Sequence, residues 1–350
     1  MERAVYRIID ANFNRAREAV RMVEEFCRFT LNSSPLTERA KRIRHELSSA
    51  INKLDAGRII AGRDVPGDIG LGKTVDEQLE RGNLRDCFTA GCKRLTEALR
   101  VLAEVSQTLD GPVADTIEKL RYAAYTLEKD IVLFSDVFEK FKRVRLYIII
   151  TENLPLDVVS LACKCADSGA DCIQLRAREI NDDKLFGIAS TFVRICKDAG
   201  VLSIINDRAD IAVAAGADGV HLGQNDLPVA QARDLQLSPL IIGKSTHSLE
   251  QLRAACKELP AYAALGPVFA TETKRTARPV GLDYVRRAAE LLVDTGISSV
   301  AIGGINLDNV GDVLKAGART IAVCAAVTKA VDVRKACREL KEKIDKFNKD

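Results

Sequence analysis

Leu202-Ser203-Ile204-Ile205-Asn206-Asp207-Arg208 and Gly219-Val220-His221-Leu222-Gly223-Gln224-Asn225-Asp226 are the stretches that decide the fold. Each is a short β-favouring run that ends in a polar segment carrying an aspartate. The same grammar extends in both directions. Strands are expected at Leu146–Thr151, Cys172–Arg176, Leu202–Asn206, Gly219–Leu222, Ile241–Ser245, Tyr262–Gly266, Ser299–Gly303 and Thr320–Ala325. Amphipathic helices fall between them, for instance Pro155–Ser168, Asp182–Asp198, Leu249–Leu259 and Leu282–Asp294, with a last one from about Val333 to Asp345. Alternation of this kind means parallel strands joined by helical crossovers. Eight such units in about 205 residues fit a small (β/α)₈ TIM barrel, an α/β fold. A doubly wound open sheet is the rival, and it fits less well because no dinucleotide fingerprint accompanies the strands.

Upstream of Phe141-Lys142-Arg143 the style changes. Apolar residues recur at helical spacing, with Val20, Val23 and Cys27 on one face and Leu95, Leu99 and Leu102 on another, and convincing strands are scarce. The expected organisation is an all-α domain over residues 1–140 followed by a barrel over residues 145–350.

At 350 residues the chain has room for two domains. Hydrophobic residues at 47% and charged residues at 29% give the profile of a soluble globular protein with ample core. A net charge of +3 is too small to imply nucleic acid as a partner, but it suits anionic small molecules if the basic groups are focused in one cleft. The low aromatic content and the absence of Trp also argue against a stacking platform for single strands. Asp10, Glu18, Glu24 and Glu25 fall where a secretory signal would be apolar and a transit peptide free of acids. No segment approaches the ~20 apolar residues of a membrane span. The cysteines, scattered without a C-x-x-C pair, read as buried reduced thiols. A cytoplasmic protein without membrane or nucleic-acid partners is expected; a homo-oligomer is left open.

Barrel chemistry sits at the C-terminal ends of the strands. Strand two ends in Gln174-Leu175-Arg176-Ala177-Arg178, strand three in Asn206-Asp207-Arg208, and strand four runs into Gly223-Gln224-Asn225-Asp226. Strand five ends in Gly243-Lys244-Ser245-Thr246-His247, strand six runs into Gly266-Pro267-Val268-Phe269-Ala270-Thr271-Glu272-Thr273-Lys274-Arg275, strand seven ends in Gly303-Gly304, and strand eight in Val323-Cys324-Ala325. Asp207 and Asp226, after neighbouring strands, suit Mg²⁺, which takes one or two carboxylates and leaves other positions to water and phosphate oxygens. Arg176, Arg178 and Lys274 supply fixed positive charge. The diglycine lets backbone N–H groups approach a phosphate. Taken singly, an aspartate at a strand end is a helix cap and Gly-Gly a turn. Their coincidence after consecutive strands points to a metal and two phosphate-bearing substrates, one a diphosphate and one a monophosphate.

These pieces carry a resemblance. Gln-Leu-Arg, Asn-Asp-Arg, Gly-Val-His-Leu-Gly-Gln-Asn-Asp, Gly-Lys-Ser-Thr-His, Gly-Pro-Val-Phe-Ala-Thr-Glu-Thr-Lys and Ala-Ile-Gly-Gly-Ile follow one another as in thiamine phosphate synthases, which residues from about Arg145 to Ala330 resemble. The resemblance implies that hydroxymethylpyrimidine diphosphate and a thiazole phosphate condense to thiamine phosphate and pyrophosphate. It implies that Gln174, Arg176, Arg178, Asn206 and Lys274 hold the pyrimidine diphosphate, and that Asp207 and Asp226 hold Mg²⁺. Ser245, Thr271, Thr273 and Gly304 would contact pyrimidine or phosphates, and Gly304, Cys324 and Ala325 would surround the thiazole phosphate. Arg176, Lys274 and Ser245 would stand nearest the chemistry. Two positions depart from the pattern: the family often has Lys where Arg178 stands and usually Ser where Ala325 stands. A thiazole tautomerase-like barrel is the near alternative and a non-catalytic binding module the distant one; neither needs the aspartate pair.

Two features of the first 140 residues invite a functional reading. Arg15–Glu25 and Arg94–Glu104 echo each other, placing Glu18, Arg21 and Glu25 along one helical stripe and Glu97, Arg100 and Glu104 along another. Solvated ion pairs and the lining of a polar pocket are both open readings. Gly67-Asp68-Ile69-Gly70-Leu71-Gly72-Lys73-Thr74 satisfies the phosphate-loop pattern but lacks the preceding buried strand that the pattern demands. The segments Ile9–Glu18, Gly62–Gly70 and Lys93–Arg100 resemble the N-terminal extension fused to some bacterial thiamine phosphate synthases. That extension is associated with hydroxymethylpyrimidine phosphate kinase activity, which implies ATP as a substrate. Phosphoryl transfer needs positive charge and a carboxylate for Mg²⁺, which the Arg/Glu stripes and the Gly/Pro-punctuated loop carrying Arg63, Asp64 and Asp68 would supply. A helical scaffold is the alternative.

Overall fold

A computed structural model describes residues 2–73, 80–152, 157–235, 239–271 and 278–347. The chain forms two compact units, Met1–Val132 and Leu133–Asp350.

The first unit is helical, and no strand occurs among its described residues. Helix α1 (Glu2–Glu25) continues through a π-helical turn at Phe26–Thr30 and is followed by α2 (Ser34–Ile51), α3 (Ala56–Gly62), α4 (Leu84–Ser106) and α5 (Gly111–Phe141). Helix α1 packs on α2, α3 and α4. Its buried residues, among them Ile9, Ala16, Val20 and Val23, recur every three to four positions, the spacing that keeps one stripe facing a core. Phe88, Leu95, Leu99 and Leu102 do the same on α4. Asn83 caps α4 by accepting from the Asp86 amide at 3.0 Å. Among the described residues of this unit one carboxylate is fully buried: Glu24 is held by Arg44 Nε at 3.0 Å and Arg21 Nη1 at 3.1 Å. Pairing is what makes a buried charge tolerable.

The division between the units falls inside α5, upstream of the change of style at Phe141–Arg143. Residues from Leu133 onward belong to the second unit because Val137, Phe141 and Val144 are buried in its barrel.

The barrel is closed and wholly parallel, its eight strands pairing in chain order and the last with the first. They are β1 (Leu146–Thr151), β2 (Cys172–Arg176), β3 (Leu202–Asn206), β4 (Gly219–Leu222), β5 (Ile241–Thr246), β6 (Tyr262–Leu265), β7 (Ser298–Ile302) and β8 (Thr320–Val323). All eight fall where the sequence grammar expects them, with ends differing by a residue or two. Leu146, Ile148 and Ile150 of β1 and Ile173 and Leu175 of β2 join the layer between strands and helices. Tyr147, Ile149 and Cys172 join the interior. This is the period-two alternation of any strand. Phe141 enters from below and stacks on Tyr262, ring centroids 4.2 Å apart. Around this plug, Asp171 Oδ2 accepts from the amides of Arg145 and Leu146, each at 2.8 Å, and Lys341 Nζ lies 2.6 Å from the same oxygen. All ten cysteines are unpaired, and no described helix is long and apolar enough to cross a membrane.

Phe141 is fully buried. Phe141→Ala should destabilise the barrel by about 3–5 kcal/mol, the usual cost of an aromatic cavity. Urea unfolding followed by circular dichroism checks this, and a change under 1 kcal/mol would mean that the plug contributes little.

Candidate active site

The alternation that fills the barrel floor also aims polar side chains into its upper end. A cavity of about 470 Å³ opens there, of the size that holds a small ligand. Of the residues singled out in the sequence, Gln174, Arg176, Arg178, Asn206, Asp207 and Ser245 line it, as do Thr271, Gly304, Cys324 and Ala325. Asp226 sits just behind Asp207. Thr273 and Lys274 lie outside the described residues.

Strand β2 delivers Gln174, 2% exposed, and the half-buried Arg176. Burial first, and then the neighbouring Arg178 charge, lower the Arg176 pKa, against the pull of Asp207 and Glu152. Arg178 is placed by its loop: Glu152 Oε1 accepts from its backbone N–H at 3.0 Å and from that of Glu179 at 3.2 Å. The Arg178 guanidinium lies 2.6 Å from Asp207 Oδ2. Arg208 instead pairs with Asp182 and Asp210 and takes no part in the cavity.

Asp207 occupies the left-handed region at φ +63°, which Asp and Asn tolerate better than most residues. Its pKa is raised, chiefly by burial and then by a hydrogen bond shared with Asp226, against the pull of Arg178. Asp226 Oδ2 also accepts from the Gly223 amide at 2.6 Å. Two crowded carboxylates favour a cation between them. Among the described residues no third His, Cys, Asp or Glu joins them, a donor set that suits a hard cation completing its shell with water and phosphate oxygens rather than zinc. Asn206 Nδ2, buried beside them, has no hydrogen-bond partner among the described residues.

Across the cavity, Gly303 and Gly304 adopt φ of +106° and +65°. A Cβ on the first would lie 2.4 Å from Pro267 Cβ and on the second 2.5 Å from the Ala270 carbonyl oxygen, so only glycine fits. Both glycines line the cavity, as do Cys324 and Ala325.

Sequence reasoning gave no role to Tyr147, His221, His247 or Tyr262, all of which line the cavity. Tyr147 and Tyr262 read as strand-filling aromatics. The signal that finds them is register: Tyr147 pairs with Cys172 and thus shares the inward set with Gln174.

The fold and cavity define a (β/α)₈ barrel in which basic side chains stand beside a carboxylate pair at the C-terminal ends of the strands. Residues 146–327 match the family described as thiamine monophosphate synthase, and residues 7–130 match the ThiD2 family. A thiamine-phosphate synthase of Rhodopirellula baltica is 39% identical over 332 residues, covering 93% of this chain and 88% of the relative. One of Synechocystis sp. is 36% identical over 347 residues, covering 99% and 98%. Among solved structures, the thiamine phosphate pyrophosphorylase of Pyrococcus furiosus superposes with a TM-score of 0.54 at 36% identity, over 60% of this chain and 98% of that one. The chain belongs to the thiamine-phosphate synthase family, transferases of thiamine biosynthesis.

The sign of the Asp207 shift has a stability consequence. Its folded value lies above the unfolded one, so it contributes stability below the ordinary carboxylate range, lost as the pH rises through the raised value. Asp207→Asn should therefore raise the Tm of the metal-free protein at pH 7 by about 2 °C and give no gain at pH 3. A fall at pH 7 in scanning calorimetry would show that the Arg178 attraction outweighs the repulsion.

Proposed function

We propose that the barrel condenses hydroxymethylpyrimidine diphosphate with a thiazole phosphate, giving thiamine phosphate and pyrophosphate. The observation that carries this reading is the convergence of Arg176, Arg178, Asn206 and Asp207 on the cavity that Gly303 and Gly304 also line, with Asp226 hydrogen-bonded to Asp207. Mg²⁺ held by Asp207 and Asp226 would neutralise the diphosphate. Arg176 and Arg178 bind the same group and stabilise its charge as the carbon–oxygen bond breaks. Asn206 Nδ2 supplies a ready donor to a phosphate oxygen. Lys274 is assigned to the same group on the family resemblance. Ser245 orients the pyrimidine, whose electron-rich ring supports the cation left behind. The Gly303–Gly304 backbone and the Cys324–Ala325 turn hold the thiazole phosphate, so that the thiazole nitrogen attacks from close range. No side chain acts as nucleophile, and the acceleration comes from charge stabilisation and positioning. The Ala325 position provides no hydroxyl, leaving backbone N–H groups to carry that phosphate contact. A thiazole tautomerase-like barrel would leave the aspartate pair without a task.

Asp207→Asn and Asp226→Asn should each lower thiamine phosphate formation by about 10²–10³-fold. They should also abolish the rise in Tm that Mg²⁺ gives the unaltered protein. Full turnover in excess EDTA, or by both variants, would sink the metal assignment.

We infer for the first unit phosphorylation of hydroxymethylpyrimidine phosphate by ATP, which would supply the diphosphate that the barrel consumes. The match to the ThiD2 family supports it, as does the Arg63 loop. Arg63 donates to Asp10 through Nε at 2.8 Å and Nη2 at 2.6 Å, fixing a loop rich in Gly and charge. Other observations favour a scaffold. Glu18, Arg21, Glu97, Arg100 and Glu104 are exposed, and their helices meet through apolar faces. Asp64 and Asp68 accept from the amides of Gly67 and Gly70, as turn formers do. The phosphate-loop pattern follows helix α3 and a turn rather than a strand.

The full chain carrying Asp207→Asn, incubated with Mg-ATP and the pyrimidine monophosphate, should accumulate the diphosphate. Arg63→Ala should cut that rate more than tenfold and Lys73→Ala only mildly. A folded protein that leaves the monophosphate untouched returns the unit to a scaffold.

A further inference from the structure

The cavity floor contains a row of hydrogen bonds to which the proposed reaction assigns no task. Gln174 Nε2 donates to Tyr147 Oη at 2.7 Å. Tyr147 Oη lies 2.9 Å from Tyr262 Oη, Tyr262 Oη 3.0 Å from His221 Nδ1, and His221 Nε2 2.8 Å from Ser245 Oγ. Tyr147 and Tyr262 are 1% and 0% exposed, so their hydroxyls find their partners within the protein.

We propose that Tyr147, Tyr262 and His221 are positioning residues that fix His221 as its Nε2–H tautomer and hold Ser245 with its own hydroxyl proton turned to the cavity. The direction follows from donor accounting. An amide nitrogen only donates, so Tyr147 accepts from Gln174 and passes its own proton to Tyr262. The Cys172 thiol beside Tyr147 is too weak an acceptor to compete. Tyr262, having accepted, donates to His221 Nδ1. A ring nitrogen that accepts carries no proton, so the imidazole proton sits on Nε2 and is given to Ser245 Oγ. Ser245 then offers its O–H outward, as a donor to a ligand that presents a lone pair.

The packing around Tyr262 supports a fixed geometry. Its ring is stacked on Phe141 with 10° between planes and on His221 with 18°. On the side of β5, a Cβ at Gly243 would lie 2.0 Å from Tyr262 Cζ and 2.3 Å from its oxygen, so that strand carries glycine where the phenol passes. His247 supplies a built-in contrast. Its Nδ1 lies 2.5 Å from the Gly266 carbonyl oxygen, which only accepts, so this second histidine carries its proton on Nδ1. The chemical consequence, though not the tautomer, rests on the proposed pyrimidine substrate: Ser245 selects a heterocycle through a ring nitrogen that accepts, not through an amino group that donates.

The test is heteronuclear NMR of the full chain labelled with [¹⁵N]histidine. There are only three histidines to assign, by His45→Gln, His221→Gln and His247→Gln. In the unaltered protein His221 should show a pyrrole-like Nε2 and a pyridine-like Nδ1, and His247 the reverse. Tyr262→Phe should abolish the single His221 pattern and lower kcat roughly tenfold, about the worth of one neutral hydrogen bond. The KM for thiazole phosphate should stay unchanged, and Tyr147→Phe should act in the same direction. A protonated Nδ1 on His221 in the unaltered protein overturns the proposal without any variant having to fold. So does a pattern that survives Tyr262→Phe. Expected tautomers with no thiamine phosphate formed would remove the reaction and leave the relay standing; turnover with the tautomer reversed would do the opposite.

Discussion

Closing eight parallel strands into a barrel leaves an interior just wide enough for side chains, and every second residue of each strand must help to fill it. Here the lower part is filled by large rings, Tyr147 and Tyr262 from the strands and Phe141 from the helix that precedes them. The upper part is lined by Gln174, Arg176, Asn206, His221 and Ser245 from the same alternating set. The floor is therefore both core and support. Rings that exclude water from below carry the hydroxyls that orient the polar groups above, which is why loss of packing and loss of positioning are linked in this molecule.

The architecture was legible because it repeats. Eight short β-rich runs at regular intervals admit few arrangements, and polar endings after successive runs mark one end of the barrel as the place for a site. Arg176, Asn206 and Asp207 could be singled out because charged or amide groups are out of place at the end of a buried strand. Tyr147 and Tyr262 could not, because an aromatic residue in a strand is what a core demands. Only the closed barrel brings residues 115 positions apart into hydrogen-bond contact. His221 stood in a quoted motif, yet its partners come from β5 and β6, which periodicity within one strand does not specify.

The helical unit was less transparent for a related reason. Its matching Arg/Glu stripes were conspicuous in the sequence, but repetition along an exposed face costs little and specifies little. The charges that the fold constrains are less conspicuous. Glu24 lies one residue from the stripe and is fully buried, and Asp10 on α1 meets Arg63 more than fifty residues away. In both halves the informative polar groups are those taken out of water, and burial is a tertiary property.

The cysteines give the two units separate reporters. Cys27 and Cys92 are buried in the helical unit, and Cys165, Cys172, Cys196, Cys256 and Cys337 in the barrel. Burial pushes the Cys27, Cys165 and Cys196 thiols up to about 12 and those of Cys256 and Cys337 to about 11, while Cys172 is raised by still deeper burial. A thiol held that far above neutrality reacts with an alkylating reagent only when its surroundings open. The chain therefore carries a chemical clock in each half, and mass spectrometry of alkylated peptides can time the breathing of the helical unit and of the barrel independently, in one sample and without any label added by design.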